Sequence, residues 1–232
     1  MGLDISSQVF GRSVRMGPSY VVLSLLMGIA LTTSLNFAST VGTVVSSSGL
    51  GVPLGSILAL LVVPTGALVG LVITTPVYLL FVNDKNAGVL EYLLAVGMTQ
   101  RDIFMGYLKA SVMLSFVAMI PVVIINTAFM SGGLALALEG GGLALATGVS
   151  DVALVTIMMT SFSSMQRRPT GMNSPIGITI GVVLLLPEFL LVALLGTLIV
   201  WVELAVAIAI FATATFLMLS IDRIIGREKL LP

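Results

Sequence analysis

The chain has 232 residues, 58% of them hydrophobic and 9% charged, with a mean hydropathy of +1.19 and a formal net charge of zero. Soluble domains carry about 45–50% apolar and about 25% charged residues, so a water-soluble fold would lack the polar side chains to cover this surface. The absence of cysteine excludes disulfides and thiolate metal sites, the absence of histidine removes the commonest general base and metal ligand, and zero net charge points to no nucleic-acid partner.

These proportions predict an all-α polytopic membrane protein, a single domain over residues 1–232. A transmembrane helix needs about 20 predominantly apolar residues. The stretch from Asp4 to Gly17 carries Ile5, Val9 and Met16 along one helical line, with Arg12 close to it. It reads either as a weakly amphipathic surface helix whose arginines reach towards headgroups or as a flexible terminus. The first span is expected at 19–38, within a run that has no charge between Arg15 and Asp84. After Ser46-Ser47-Ser48-Gly49, a second span follows at 54–82, with Pro64 and Pro76 tolerated inside it. A charged segment, Asn83 to Lys109, leads into a third span at 103–130. The glycine-rich stretch Ser131 to Gly142, with Glu139, reads as a loop before a fourth span at 143–163. A polar hairpin, Met165-Gln166-Arg167-Arg168-Pro169, precedes a long apolar block broken by Pro187-Glu188, Gly196 and Glu203. That block predicts a fifth span at 175–195, a partly inserted outer turn, and a sixth span at 202–221. A basic tail follows.

Lysine and arginine favour cytoplasmic loops. With six spans, all ten basic residues fall on the side that holds both termini, and the other side keeps only Glu139, Glu188 and Glu203. Both termini are therefore expected in the cytoplasm. The first apolar run is too long for a signal-peptide core and closes on no convincing cleavage site, so no cleaved leader is expected.

The chemistry open to such a chain is narrow. None of its lysines, Lys85, Lys109 and Lys229, follows a glycine, so there is no P-loop. Histidine-dependent zinc proteases are excluded, and no G-x-S-x-G elbow occurs. No catalytic residue, metal site or cofactor is expected. The methionines scatter through apolar spans and read as core filling. Asp151 is the one acid placed well inside an expected span. It reads either as a cap, with Ser150, of a helix beginning there after a re-entrant segment, or as part of a translocation path together with Asn126.

The charged loop has its own local logic. Asn86 is positioned to cap a short helix, and Gly97 to end it in the left-handed conformation. Thr99-Gln100-Arg101-Asp102 has the form of a capping box, with Asp in place of the usual Glu, and starts a second helix. Leu90, Leu93 and Leu94 form an apolar stripe on the short helix with Glu91 pointing elsewhere, suited to a partner surface or to the membrane interface.

This loop resembles the first cytoplasmic loop of the permease subunits of ABC-2 type ABC transporters. That loop runs from Gly-Thr-Leu-Glu through a Leu-Leu pair and a Pro-containing turn to Ser/Thr-Arg and an acid. Here Gly88-Val89-Leu90-Glu91, Leu93-Leu94, Thr99, Arg101-Asp102-Ile103 and Gly106 match, with Val89 for Thr and Val96-Gly97 where Thr-Pro is common. The motif covers only the loop; elsewhere the resemblance is one of topology and length. It implies a permease without its own ATPase, most members being exporters, working with a second identical or related permease chain and two ATPase subunits that supply ATP and Mg. Residues 86–97 would form the coupling helix, with Gly88, Leu90, Glu91, Leu93, Leu94, Gly97, Arg101 and Asp102 as contact or shaping residues. A secondary carrier or channel, and a non-transporting membrane scaffold, are the alternatives.

Overall fold

A computed structural model of the chain describes residues 5–23, 25–26, 29–30, 72–129, 134–166, 199–225 and 230. The described residues form helices and turns, without strands. Helix α1 spans Ser6–Met16. A helical segment, α2, begins at residue 18 and is described through 23, with residues 25–26 and 29–30 also helical. Helix α3 covers 72–86, α4 Val89–Ala95, α5 Gln100–Phe129, α6 Leu134–Met165, α7 Ile199–Leu219 and α8 Ile221–Ile224.

The two long helices set the frame. At about 1.5 Å per residue, the 30 residues of α5 and the 32 of α6 each extend well beyond 40 Å. Within them, Gln100–Pro121 and Leu145–Met165 are long and apolar enough to cross a membrane, and Leu204–Leu219 of α7 is a shorter apolar stretch. On α5, Ile103, Tyr107, Ala110, Leu114 and Ala118 are buried, while Met113, Val117, Ile120 and Ile124 are exposed. Both sets repeat every three or four residues, so the helix has an inner and an outer face. Helix α6 has no outer face over Asp151–Ile157, where every residue is buried, because it packs against both α5 and α7. Helix α7 is peripheral: Ala207, Ala214 and Met218 turn inward, and Trp201, Ile208, Phe211 and Phe216 are exposed.

Hydroxyl side chains within these helices donate back to carbonyls three or four residues earlier, Thr147 to Leu143, Ser150 to Ala146 and Thr160 to Thr156. They are thereby satisfied locally without a neighbouring helix.

The boundaries shift in informative ways. Helix α3 continues beyond the expected limit of 82, so Asp84 and Lys85, read as loop residues, lie in its last turn. Helix α6 begins at Leu134 and absorbs Glu139 and Gly140 to Gly142, read as loop. A continuous backbone ladder through a long helix outweighs the helix penalty of three glycines, each roughly 1 kcal/mol. Most of the residues expected at 103–130 and 202–221 are helical, in α5 and α7. The expected fifth span at 175–195, the Pro187-Glu188 turn, and the parts of the first and second expected spans at 31–38 and 54–71 lie outside the described residues.

Candidate coupling site at the charged end of the bundle

The end of α3, the start of α5 and the end of α6 meet at one end of the bundle, through side chains of the segment read as a charged loop. Asp84 is buried in the last turn of α3. It accepts two hydrogen bonds from the Arg12 guanidinium of α1, at 2.5 and 3.0 Å, and one from the Tyr107 hydroxyl of α5, at 2.6 Å. The paired geometry is the strong, fork-like form of an arginine–carboxylate contact. Hydrogen bonding to Asp84 holds the Arg12 pKa above the ordinary arginine value. The Tyr107 ring is edge-on to Phe81 at 5.1 Å, and Phe104 lies 5.5 Å from the same Phe81 ring, so an aromatic cluster fixes the hydroxyl in place.

Lys85 is also buried but points the other way. Its ammonium donates to the carbonyls of Ser163, Ser164 and Gln166, at 3.2, 2.7 and 2.6 Å. These carbonyls lie at the end of α6, where that of Ser163 also accepts from the Gln166 amide and the helix dipole favours a cation. Burial pushes the Lys85 pKa below the ordinary lysine range; the three acceptors supply what water would otherwise provide.

Helix α1 lies against α5. Ile5 touches the position where Gly106 would carry a Cβ, so glycine permits the close seat. The expected apolar line is only partly used: Val9 is buried together with Ser6 and Ser13, while Met16 is exposed. Arg12 faces Asp84, not headgroups, and a long-range ion pair has decided the orientation that weak amphipathicity left open.

Helix α4 follows α3 after two turn residues. Its N-cap is Gly88, in the left-handed conformation at φ 73°, and not Asn86, because α3 runs through residue 86 before the chain turns. At the other end Gly97 has φ 99°. The amide of Met98 donates to Leu93 and that of Gly97 to Leu94, the paired bonds of a Schellman motif. The capping box forms as expected. The Asp102 amide donates to the Thr99 hydroxyl at 3.1 Å, and the Thr99 amide donates to the Asp102 carboxylate at 3.2 Å. Asp102 therefore shapes the start of α5, while Arg101 beside it is exposed.

The leucine stripe turns inward. Leu90 is fully buried in the main core, and Leu93 and Leu94 are half-buried against it. The outward face of α4 consists of Glu91, Tyr92, Ala95 and Val96, with Tyr92 66% and Val96 52% exposed. Periodicity found a stripe but could not say whether it met this chain's core or another protein.

Asp151 lies inside α6, with no helix start near it, so it is not an N-cap; it is buried among the apolar residues of that helix. Asn126 is in the last part of α5, and its side chain is outside the described residues. Among the described residues no group of acids, histidines or cysteines is arranged to hold a metal. The residues that sequence reasoning missed are Arg12, Asp84, Lys85 and Tyr107. The available signal was the charge of Asp84 and Lys85 at the rim of an apolar run.

No protein-family model matches the chain, and neither a curated protein nor a solved structure matches it.

Proposed function

We propose that the chain is a multi-pass permease subunit of an ATP-driven ABC-2-like transporter in a prokaryotic cell membrane, working as an exporter. Two such chains, identical or related, form the pathway, and two separate ATPase subunits dock from the cytoplasm. The observation that carries this reading is α4: a short helix, shaped by glycine at both ends, that presents Glu91, Tyr92, Ala95 and Val96 outward. It stands in the loop whose Gly88-Val89-Leu90-Glu91 and Arg101-Asp102 resemble the family's coupling segment. The docking surface is assigned to that outward face, and the leucines hold the helix on the bundle. The six spans expected from the sequence would put this face, with both termini, in the cytoplasm.

The test is purification of the tagged chain from its own host in mild detergent, with identification of what accompanies it. An ATP-binding-cassette subunit in equal amount is expected, and Tyr92→Ala with Val96→Ala should reduce its recovery without disturbing the permease. Recovery of the chain with no nucleotide-binding partner, or one permease chain per two ATPase subunits, would overturn the reading. Orientation has its own check. Cysteine at Ser47 should react with an impermeant maleimide from outside and cysteine at Gln166 should not.

A second reading, a secondary carrier, is favoured by Asp151, a carboxylate buried in an apolar helix, since such groups are commonly functional. It predicts gradient-driven flux by the chain alone in proteoliposomes, abolished by Asp151→Asn.

A further inference from the structure

Three backbone carbonyls converge on one buried point at the end of α6. Those of Ser163, Ser164 and Gln166 lie 3.2, 2.7 and 2.6 Å from Lys85 Nζ. Lys85 is fully buried and arrives from α3, 78 to 81 positions away in sequence. An ammonium has three N–H donors and no acceptor, so the oxygens match the donors one for one. The Ser163 oxygen also accepts from the Gln166 amide at 3.2 Å, in keeping with its longer distance from the nitrogen. The neighbouring acid takes no part, because Asp84 is turned to Arg12 and Tyr107. The ammonium is met by carbonyl dipoles, at a helix end where the macrodipole favours a cation. Burial works against its charge, so these oxygens have to replace its water.

We infer that the carbonyls of Ser163, Ser164 and Gln166 form a binding site for a primary ammonium group, filled in this chain from within by Lys85. Backbone carbonyls grouped around one point can replace the hydration shell of a cation, and here the three belong to α6 and the residue that follows it. Charge and N–H donors, more than side-chain volume, are then what the end of α6 requires. With Lys85 shortened, the same oxygens take a free primary amine from solution in place of the deleted atoms. A quaternary ammonium of equal charge has no N–H to give, and an alcohol of equal length has no charge. The inference goes beyond the transporter reading, because the site belongs to the chain whatever docks on α4.

The test is chemical rescue of the full-length chain. Lys85→Ala removes three side-chain carbons and the nitrogen, the size of n-propylammonium. Its melting temperature in mild detergent should fall below that of the wild type by on the order of 5 °C. n-Propylammonium chloride should recover roughly half of that loss or more, saturably, as a ligand of the folded state does. Tetramethylammonium chloride at the same ionic strength, and n-propanol, should recover little. The wild type, and Lys85→Met with its space filled, should not respond to the amine. An unchanged melting temperature in Lys85→Ala, no response to n-propylammonium, or equal rescue by n-propanol would overturn the site, the last by showing a cavity that needs no cation. Should Lys85→Ala not fold, the wild type carries a test of its own. The chain has only three lysines, Lys85, Lys109 and Lys229, so nitrogen-15 lysine labelling resolves them by NMR. Lys85 should give a slowly exchanging ammonium signal at neutral pH that Lys85→Met lacks; a neutral or rapidly exchanging amine there would overturn the inference. Absence of a copurifying ATPase would sink the transporter reading and leave these results untouched.

Discussion

The charged end of the bundle and its apolar middle are built by different means. At the charged end, position is set by a few directional contacts between residues far apart in sequence: Arg12 with Asp84, Tyr107 with Asp84, and Lys85 with the last carbonyls of α6. In the middle, α5, α6 and α7 meet through alanines, branched aliphatics and methionines, and the hydroxyls of Thr147, Ser150 and Thr160 are occupied by their own helix. An open apolar cleft of about 380 Å³, lined by Phe116, Val149, Ser150, Ile208 and Phe211 among others, lies between those three helices. The middle should tolerate volume-conserving substitution, because one apolar contact replaces another. The charged end should not, since each displaced partner leaves a buried polar group behind.

The largest effects are expected where burial and directionality coincide. Lys85→Met takes the ammonium from the carbonyls of Ser164 and Gln166, while that of Ser163 keeps the Gln166 amide, and should lower stability by about 2 kcal/mol, given roughly 1 kcal/mol or more for each buried group left unpaired. Leu90→Ala should cost about as much, within the 2–5 kcal/mol typical of a fully buried leucine. Both are measurable as loss of monodisperse protein on heating in detergent. By contrast, Phe116→Ala on the rim of the apolar cleft removes an aromatic side chain that is 41% exposed and should be milder than either. Equal sensitivity at Lys85 and Phe116 would erase the contrast between the two regions.

Smaller effects sharpen the picture of α4. Gly97→Ala places a side chain in the left-handed region and should cost about 1–2 kcal/mol; Gly97→Pro should be worse, since it also removes the amide bonded to Leu94. Thr99→Ala deletes the capping box and should cost about 1 kcal/mol. Tyr92→Ala should change stability by no more than about 0.5 kcal/mol because its side chain is on the outward face. A denaturant series over these variants tests the ranking. A Tyr92→Ala loss matching that of Leu90→Ala would mean that the outward face is not free.

Much of α4 was readable beforehand because its signals are local. A glycine that must go left-handed, a Thr three residues before an acid, and a helix start after them lie within a few residues of one another, and backbone geometry alone enforces them. The length of α5 and the apolar character of α5, α6 and α7 were legible for a similar reason: hydrophobicity is summed along the chain. What the sequence by itself determined, therefore, was helical class and the capped loop. The tertiary structure decided which way those features face. Whether Leu90, Leu93 and Leu94 serve a partner or the core depends on what α4 packs against, and residues 88–97 do not contain that information. Asn86 lost its capping role because α3 ran past it, and Asp151 lost its own because α6 began at Leu134. The pairing of Arg12 with Asp84, and of Lys85 with residues 163–166, needs segments more than seventy residues apart to meet. Burial of Asp84 and Lys85 makes partners necessary, but only the packing of the helices selects them.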